Sequence, residues 1–321
     1  MFDITAFGEI LIDYTPAGKS RAGMDLFEQN PGGAPANLLA CASKLGSRTS
    51  FIGKVGADTQ GKFLKKTLEN AGISTIGLIE DSRYFTTMAF VSLRSTGERS
   101  FAFARKPGAD TQMTAEEVDF SLISKSRILH FGSLSLTDSP SRETTFAVIE
   151  KGREAGCLIS YDPNVRLMLW PSREAAREQV RRVLPYVDIM KLSEEEAELL
   201  TDLEAPEEAA EKLLAKGVRL VAVTLGKDGA YVAMKGKQVR VPGHSVEVVD
   251  TTGAGDAFWG AFLHKLIEKM KKGNWEQMEL EDLKGLAEFA NAAAACCVRK
   301  RGGIPAMPEL REIERLLEGR D

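Results

Sequence analysis

The sequence predicts an α/β fold: a doubly wound, mostly parallel sheet covered on both faces by helices, with a small β-sheet added to it. Three observations lead there. Short apolar runs of strand type alternate with stretches of helical periodicity along almost the whole chain. Polar and glycine-rich segments recur where a strand ends or a helix begins, which is where ligands sit in open parallel sheets. Between residues 84 and 106 a hairpin pattern interrupts the alternation. The chain has 321 residues, 43% hydrophobic and 27% charged, and shows no repeat or low-complexity segment. It therefore reads as one large domain, residues 1–321, with an elaboration.

The bulk numbers exclude several classes. Lys plus Arg total 42 against 46 Asp plus Glu, a net charge of −4, so nothing suggests a nucleic-acid surface. The basic run Arg299-Lys300-Arg301 reads as a helix end answering the dipole. No apolar run approaches the ~18 to 20 residues that span a bilayer, and the first residues lack a signal-peptide pattern. Cys41, Cys157, Cys296 and Cys297 show no metal-type spacing, so they read as buried thiols of a reducing, cytoplasmic protein. His130, His244 and His264 are scattered, which argues against a zinc site.

Taken in order, Ile4 to Tyr14 reads as a first buried strand, with Gly8 a bend or close approach and Asp13 near its end. The turn Pro31-Gly32-Gly33-Ala34-Pro35-Ala36-Asn37 opens an Ala/Leu helix running to Leu45. A strand over 51–58 and a helix over 61–70, stopped by Gly72, follow. Met88 to Leu93 and Arg99 to Phe103 flank the turn-rich Ser95-Thr96-Gly97-Glu98. Then come Arg105-Lys106-Pro107-Gly108-Ala109-Asp110, a strand over 127–132 and a helix over 141–156. Cys157 to Tyr161 is a strand ending in Asp162-Pro163-Asn164-Val165-Arg166, where Asp162 can simply start a proline turn. The strand over 188–192 leads into Ser193-Glu194-Glu195-Glu196, a capping box that opens a helix. Val218 to Thr224 is another strand, with Gly226 in its turn, and Leu283 to Val298 an alanine-rich helix containing Asn291.

The most informative stretch is Asp250-Thr251-Thr252-Gly253-Ala254-Gly255-Asp256-Ala257-Phe258. Phe258, Phe262, Leu266 and Met270 recur every fourth position, marking one face of a helix that Gly273 ends. Gly253 to Asp256 then lies at the helix N-terminus, where unpaired N–H groups and the dipole favour an anion. Without side chains, Gly253 and Gly255 let that backbone approach a ligand closely. A carboxylate there makes sense if the anion is a phosphate and Asp256 takes a proton from whatever attacks it. The plainer reading is a tight turn with Asp256 as a helix cap. The spacing fits neither common nucleotide loop, since Phe258 stands where a third glycine would be needed.

The complete string resembles the C-terminal signature of the ribokinase-like (pfkB-type) carbohydrate kinases. Gly32-Gly33-Ala34-Pro35-Ala36-Asn37 is similar to that family's N-terminal signature, some 220 residues earlier. Arg105 to Asp110 and Asp162-Pro163-Asn164-x-Arg166 look more like fructokinases than like ribokinases or nucleoside kinases. The resemblance covers essentially the whole chain. It implies ATP-dependent phosphorylation of the primary hydroxyl of fructose, with Asp256 as general base and the Gly253, Ala254 and Gly255 amides as anion hole. Asp256, at a helix N-terminus, is expected to be ionised at pH 7 and hence weakly basic.

For the sugar the resemblance implies Asp13, Gly32, Gly33, Asn37, Arg105, Asp162, Asn164 and Arg166, with Arg105 reaching in from a lid. For the nucleotide it implies Ser193, Glu196, Thr224, Gly226 and Asn291, although Ser193 stands where the family usually has Asn. Glu196 would meet Mg2+ through water, and Asp250 and Thr252 would help hold a potassium ion. The lid would be built from inserts at about 12–31 and 84–106 and would pair in a homodimer; exposed sheet edges need such cover on physical grounds too. The partners are then a small-molecule sugar and ATP, with no nucleic acid and no membrane. The nearest alternative is a 2-keto-3-deoxygluconate kinase, in which Arg105 or Arg166 would hold the substrate carboxylate. A non-catalytic sugar- or nucleotide-binding relative would be free to lose Asp256 or the Gly-Ala-Gly amides, and all are present.

Overall fold

In a computed structural model that describes residues 1–93 and 99–319, the strands in chain order are β1 (Phe2–Phe7), β2 (Leu11–Lys19), β3 (Asp25–Gly32), β4 (Thr49–Gly56), β5 (Ser74–Asp81), β6 (Met88–Leu93), β7 (Arg99–Ala104), β8 (Ser126–Phe131), β9 (Leu158–Tyr161), β10 (Ile189–Ser193), β11 (Leu220–Thr224), β12 (Ala230–Met234) and β13 (Lys237–Val241). Nine of them form one sheet in the order β13-β12-β11-β10-β9-β8-β1-β4-β5. Pairing is parallel from β5 through to β11 and antiparallel only at β11–β12 and β12–β13. The other four make a small sheet, β3-β2-β6-β7. The expected α/β class, a mostly parallel sheet with a small sheet beside it, is what the chain adopts. The hairpin tip Ser95-Thr96-Gly97-Glu98 lies outside the described residues.

The helices are α1 (Ala34–Lys44), α2 (Thr59–Asn70), α3 (Phe120–Ser124), α4 (Ser141–Glu154), α5 (Arg173–Arg182), α6 (Glu194–Thr201), α7 (Pro206–Ala215), α8 (Ala254–Lys272), α9 (Leu280–Val298) and α10 (Leu310–Leu317). Strand alternation sends side chains to both faces, and each face has its own core. On one side Ile4, Ala6 and Phe51 pack with Leu38, Phe258, Phe262 and Ala290, joining the sheet to α1, α8 and α9. On the other, Phe7, Ile52, Met190 and Leu192 pack with Val148, Val180, Leu200 and Leu213 from α4 to α7. That is the doubly wound arrangement. Among the described residues no helix is long and apolar enough to cross a membrane.

One expected element is corrected. Ile4 to Tyr14 is two strands in two different sheets, with the link Gly8-Glu9-Ile10 between them. The run is mostly apolar because both strands are buried where they meet, so periodicity alone shows no break. Gly8 is the close approach: a Cβ there would lie 2.8 Å from Pro35 Cγ. A second contact fixes the site. Gly260 of α8 faces α1, and a Cβ on it would stand 2.6 Å from the Leu38 carbonyl oxygen. Only glycine lets the two helices lie this close, and their N-termini then converge at the end of the sheet.

Candidate active site

The helix that carries Asp256 starts where the sequence implies. Gly253 is its N-cap at φ 79°, a left-handed conformation that glycine takes without strain, and Gly273 ends it. Ala254 donates a long 3.3 Å bond to the Thr251 carbonyl. The N–H groups of Gly253 and Gly255 have no acceptor among the described residues and face a cavity of about 690 Å³. Asp256 is buried at its wall. Its two oxygens accept from different elements: Oδ2 from Asn37 Nδ2 of α1 at 2.8 Å, Oδ1 from Asn164 Nδ2 after β9 at 3.2 Å. Asn164 reaches this place from a left-handed backbone, φ 43°. Two amides 219 and 92 residues distant in sequence thus aim one carboxylate at the anion-binding turn.

Burial pushes the Asp256 carboxyl up to about 6, and the neighbouring Asp162 adds to the rise. Lys191, the Asn37 bond and Arg166 oppose it. The expectation of a weakly basic carboxylate is therefore corrected. Dipole and amides favour the ion, but loss of water outweighs them. The group is still mostly ionised at pH 7, with a basicity well above that of an ordinary aspartate.

Lys191 was not singled out from the sequence. Its Nζ donates to Asp162 Oδ2 at 2.9 Å, and the charges of Asp162, Glu196 and Asp256 hold it protonated against the cost of burial. A Cβ on Gly255 would lie 2.9 Å from this Nζ, so the ammonium sits directly behind the anion-binding amides. A signal did exist: a lone lysine inside the buried strand Ile189-Met190-Lys191-Leu192 must have a charged partner. Glu196 closes the same wall. The expected capping box is present, Glu196 Oε2 accepting from Ser193 N at 2.9 Å, while Oε1 accepts from Val165 N at 2.7 Å. Burial raises the Glu196 carboxyl above its usual range, and Lys191 pulls it back.

Asp13, Asn30, Gly33 and Arg166 also line the cavity, along with Asn37 and Asn164. Gly32 lies under Asp13, and a side chain there would strike the Asp13 carboxylate. Burial pushes Asp13 up to about 6, Arg166 working against it. Asp250 braces the loop before α8: Oδ1 accepts from Thr252 N at 3.0 Å and Oγ1 at 2.8 Å, and Oδ2 from Gly302 N at 3.1 Å. Asp250, Thr252, Ser193 and Thr224 all line the cavity.

Five expected site residues do not line it, the first being Gly32 beneath Asp13. Arg105 is buried behind the wall, its Nε donating to Asp110 Oδ2 at 2.8 Å, Nη1 to Thr137 Oγ1 at 2.7 Å and Nη2 to Leu134 O at 2.9 Å. With its donors occupied by the protein, it does not reach in from the small sheet. Asp162 is buried under Lys191 rather than open to a ligand. Asn291 donates 3.1 Å bonds to the Val241 and Pro242 carbonyls and so ties α9 to the chain after β13. Gly226 lies on exposed surface beyond Thr224.

A buried carboxylate poised at an anion-binding helix N-terminus, beside a polar pocket under a small sheet, suits transfer of a phosphoryl group to an alcohol. The family model described as pfkB family carbohydrate kinase matches residues 1–310, and the chain belongs to that family. It is 41% identical over 318 residues to Fructokinase-1 of Zea mays, covering 98% of this chain and 97% of that one. A solved fructokinase from Xylella fastidiosa with bound ATP has a TM-score of 0.91 at 33% identity, covering 99% and 98% of the two chains. A double mutant of the Vibrio cholerae O395 fructokinase, in a fructose, ADP and potassium ion bound form, has a TM-score of 0.87 at 31% identity and 98% of each chain.

Proposed function

We propose that this sugar kinase transfers the γ-phosphoryl group of ATP to the primary hydroxyl of fructose, giving fructose 6-phosphate and ADP. The observation that carries the reading is Asp256, held by Asn37 and Asn164 beside the N–H groups of Gly253 and Gly255 in one cavity. Asp256 accepts the proton of the attacking hydroxyl as its oxygen bonds to the γ-phosphorus and the bond to the ADP oxygen breaks. A carboxyl near 6 is ionised at neutral pH yet basic enough to take that proton late in the reaction. The amides of the Gly253–Gly255 turn stabilise the charge developing on the transferred group, a contribution of ~3 to 4 kcal/mol per donor in comparable sites. Lys191 adds a fixed positive charge behind them.

Asp13, Gly33, Asn37, Asn164 and Arg166 orient the sugar, while Asp162 and Arg105 support the wall from behind. Fructose is favoured over a keto-acid by the fructokinases among the relatives; Arg105, engaged by Asp110, is set aside as a carboxylate partner. Ser193, Glu196 and Thr224 form the nucleotide end, with Gly226 at its rim and Asn291 shaping it. The buried carboxylates Asp162, Glu196 and Asp256 outnumber Lys191, so the site suits a cation. Both Glu196 oxygens already accept backbone N–H groups, so Glu196 would hold magnesium through water, and the bound ion would neutralise phosphate charge. Asp250 and Thr252 would help hold a monovalent cation; the Vibrio cholerae structure is a potassium-bound form.

The small sheet acts as the lid that excludes water from ATP. Its exposed Phe27 and Phe90, the latter stacked on half-buried Tyr14, would be covered by a second copy in a homodimer. Four buried free cysteines suit a reducing cytoplasm. Asp256→Asn tests the base directly: turnover should fall by about 10² to 10⁴ while ATP binding is retained, and near-normal turnover would refute the assignment.

A further inference from the structure

Glu9 lies in the link between β1 and β2, where the chain passes from the large sheet to the small one. It is 3% exposed and lines the same cavity as Gly33, Ala34 and Asn37. Helix α1 begins just after the glycine pair, and its N-cap, Gly33, has no side chain with which to cap it. The first turn carries no acidic residue either. Glu9 fills this role from 25 residues away, its Oε1 accepting from the Ala34 N–H at 3.0 Å. The backbones touch as well. A Cβ on Gly33 would stand 2.6 Å from the Glu9 carbonyl oxygen, and Pro35 packs against Gly8. Glu9 Oε2 is buried without a hydrogen-bond partner, and burial pushes the carboxyl up to about 7.

We infer that Glu9 is a positioning residue for the sugar: it caps α1 in place of a local side chain and so sets the Gly33–Ala34 backbone that lines the cavity. A serine or aspartate at the N-cap would place a Cβ against the Glu9 and Ile10 backbone, so the cap has to come from another element, and the Glu9 side chain supplies it. This rests on the sugar-kinase reading above for its effect on turnover, but not for its effect on the loop.

Two variants separate reach from charge. Glu9→Asp keeps the carboxylate and is one methylene too short to meet Ala34; Glu9→Gln keeps the reach and removes the charge. Steady-state kinetics with fructose and MgATP should give a sugar KM raised about tenfold in Glu9→Asp, with kcat within threefold and the ATP KM within twofold. Glu9→Gln should restore the sugar KM to within about threefold of the native enzyme. Amide hydrogen exchange at Ala34, followed on the full-length protein without substrate, should be about tenfold faster in Glu9→Asp only. A sugar KM and an Ala34 exchange rate unchanged in Glu9→Asp would overturn the inference. If the native protein fails to phosphorylate fructose, the exchange comparison still decides it.

Discussion

At the scale of single residues, the chemistry depends on keeping Asp256 buried, ionised and basic together. Its carboxyl stands near 6, so it is protonated and inactive below that pH and competent above it. We therefore expect kcat/KM for the sugar to rise through about pH 6 and level off by neutral pH, a limb that pH–rate measurements at subsaturating sugar would show. Lys191 opposes that rise, so replacing it moves the limb in a known direction. Lys191→Met should shift the limb to higher pH and lower kcat/KM at pH 7. It should also cost about 3 to 5 kcal/mol of stability, because Asp162 is left as a buried unpaired charge. Denaturant unfolding alongside the pH profile checks both effects. Asp256 itself and its turn were legible in the sequence, because glycines, carboxylate and helix periodicity are local. Its basicity was not, because that comes from burial and from Asp162, which no spacing reveals.

At the scale of elements, the site is assembled where α1 and α8 are brought together. Gly260 permits that approach, so Gly260→Ala should push α1 off α8, cost about 1 to 3 kcal/mol of stability and lower kcat through the loss of the Asn37–Asp256 bond. A native-like kcat in a destabilised Gly260→Ala variant would show that the helix contact does not set the catalytic geometry. Helices and strands were mostly legible from their periodicity and caps: Gly273 ends α8 and the Ser193–Glu196 box opens α6. The division of Ile4 to Tyr14 was hidden, since both sheets bury the same kind of residue at that junction. Arg105 misled for a different reason. Its place in the sugar site was implied by the resemblance alone, yet Asp110, five residues on, holds it inside. Lys191 and Glu9 went unnoticed because a single charged residue in an apolar run marks a buried partner without naming it.

At the scale of the whole molecule, the parallel sheet collects segments distant in sequence at one end, and the small sheet stands beside them. The order of the strands follows from the alternation of patterns only in outline, because which strands neighbour each other is decided by long-range packing. The pfkB family relation extends over residues 1–310, so the whole arrangement, not one motif, is shared. The aromatic face of the small sheet makes a prediction at this scale. Phe27→Glu should convert a dimer to a monomer in sedimentation velocity, and a native protein that is monomeric at micromolar concentration would exclude the lid-to-lid pairing.

The most direct test of the account is ADP release measured with MgATP against fructose, 2-keto-3-deoxygluconate, ribose, glucose and adenosine. Turnover with fructose should proceed at a kcat/KM well above every other sugar and be lost in Asp256→Asn. A preference for 2-keto-3-deoxygluconate would contradict the fructose assignment and make Arg166 a carboxylate ligand, and no turnover with any of the five would contradict the proposed reaction.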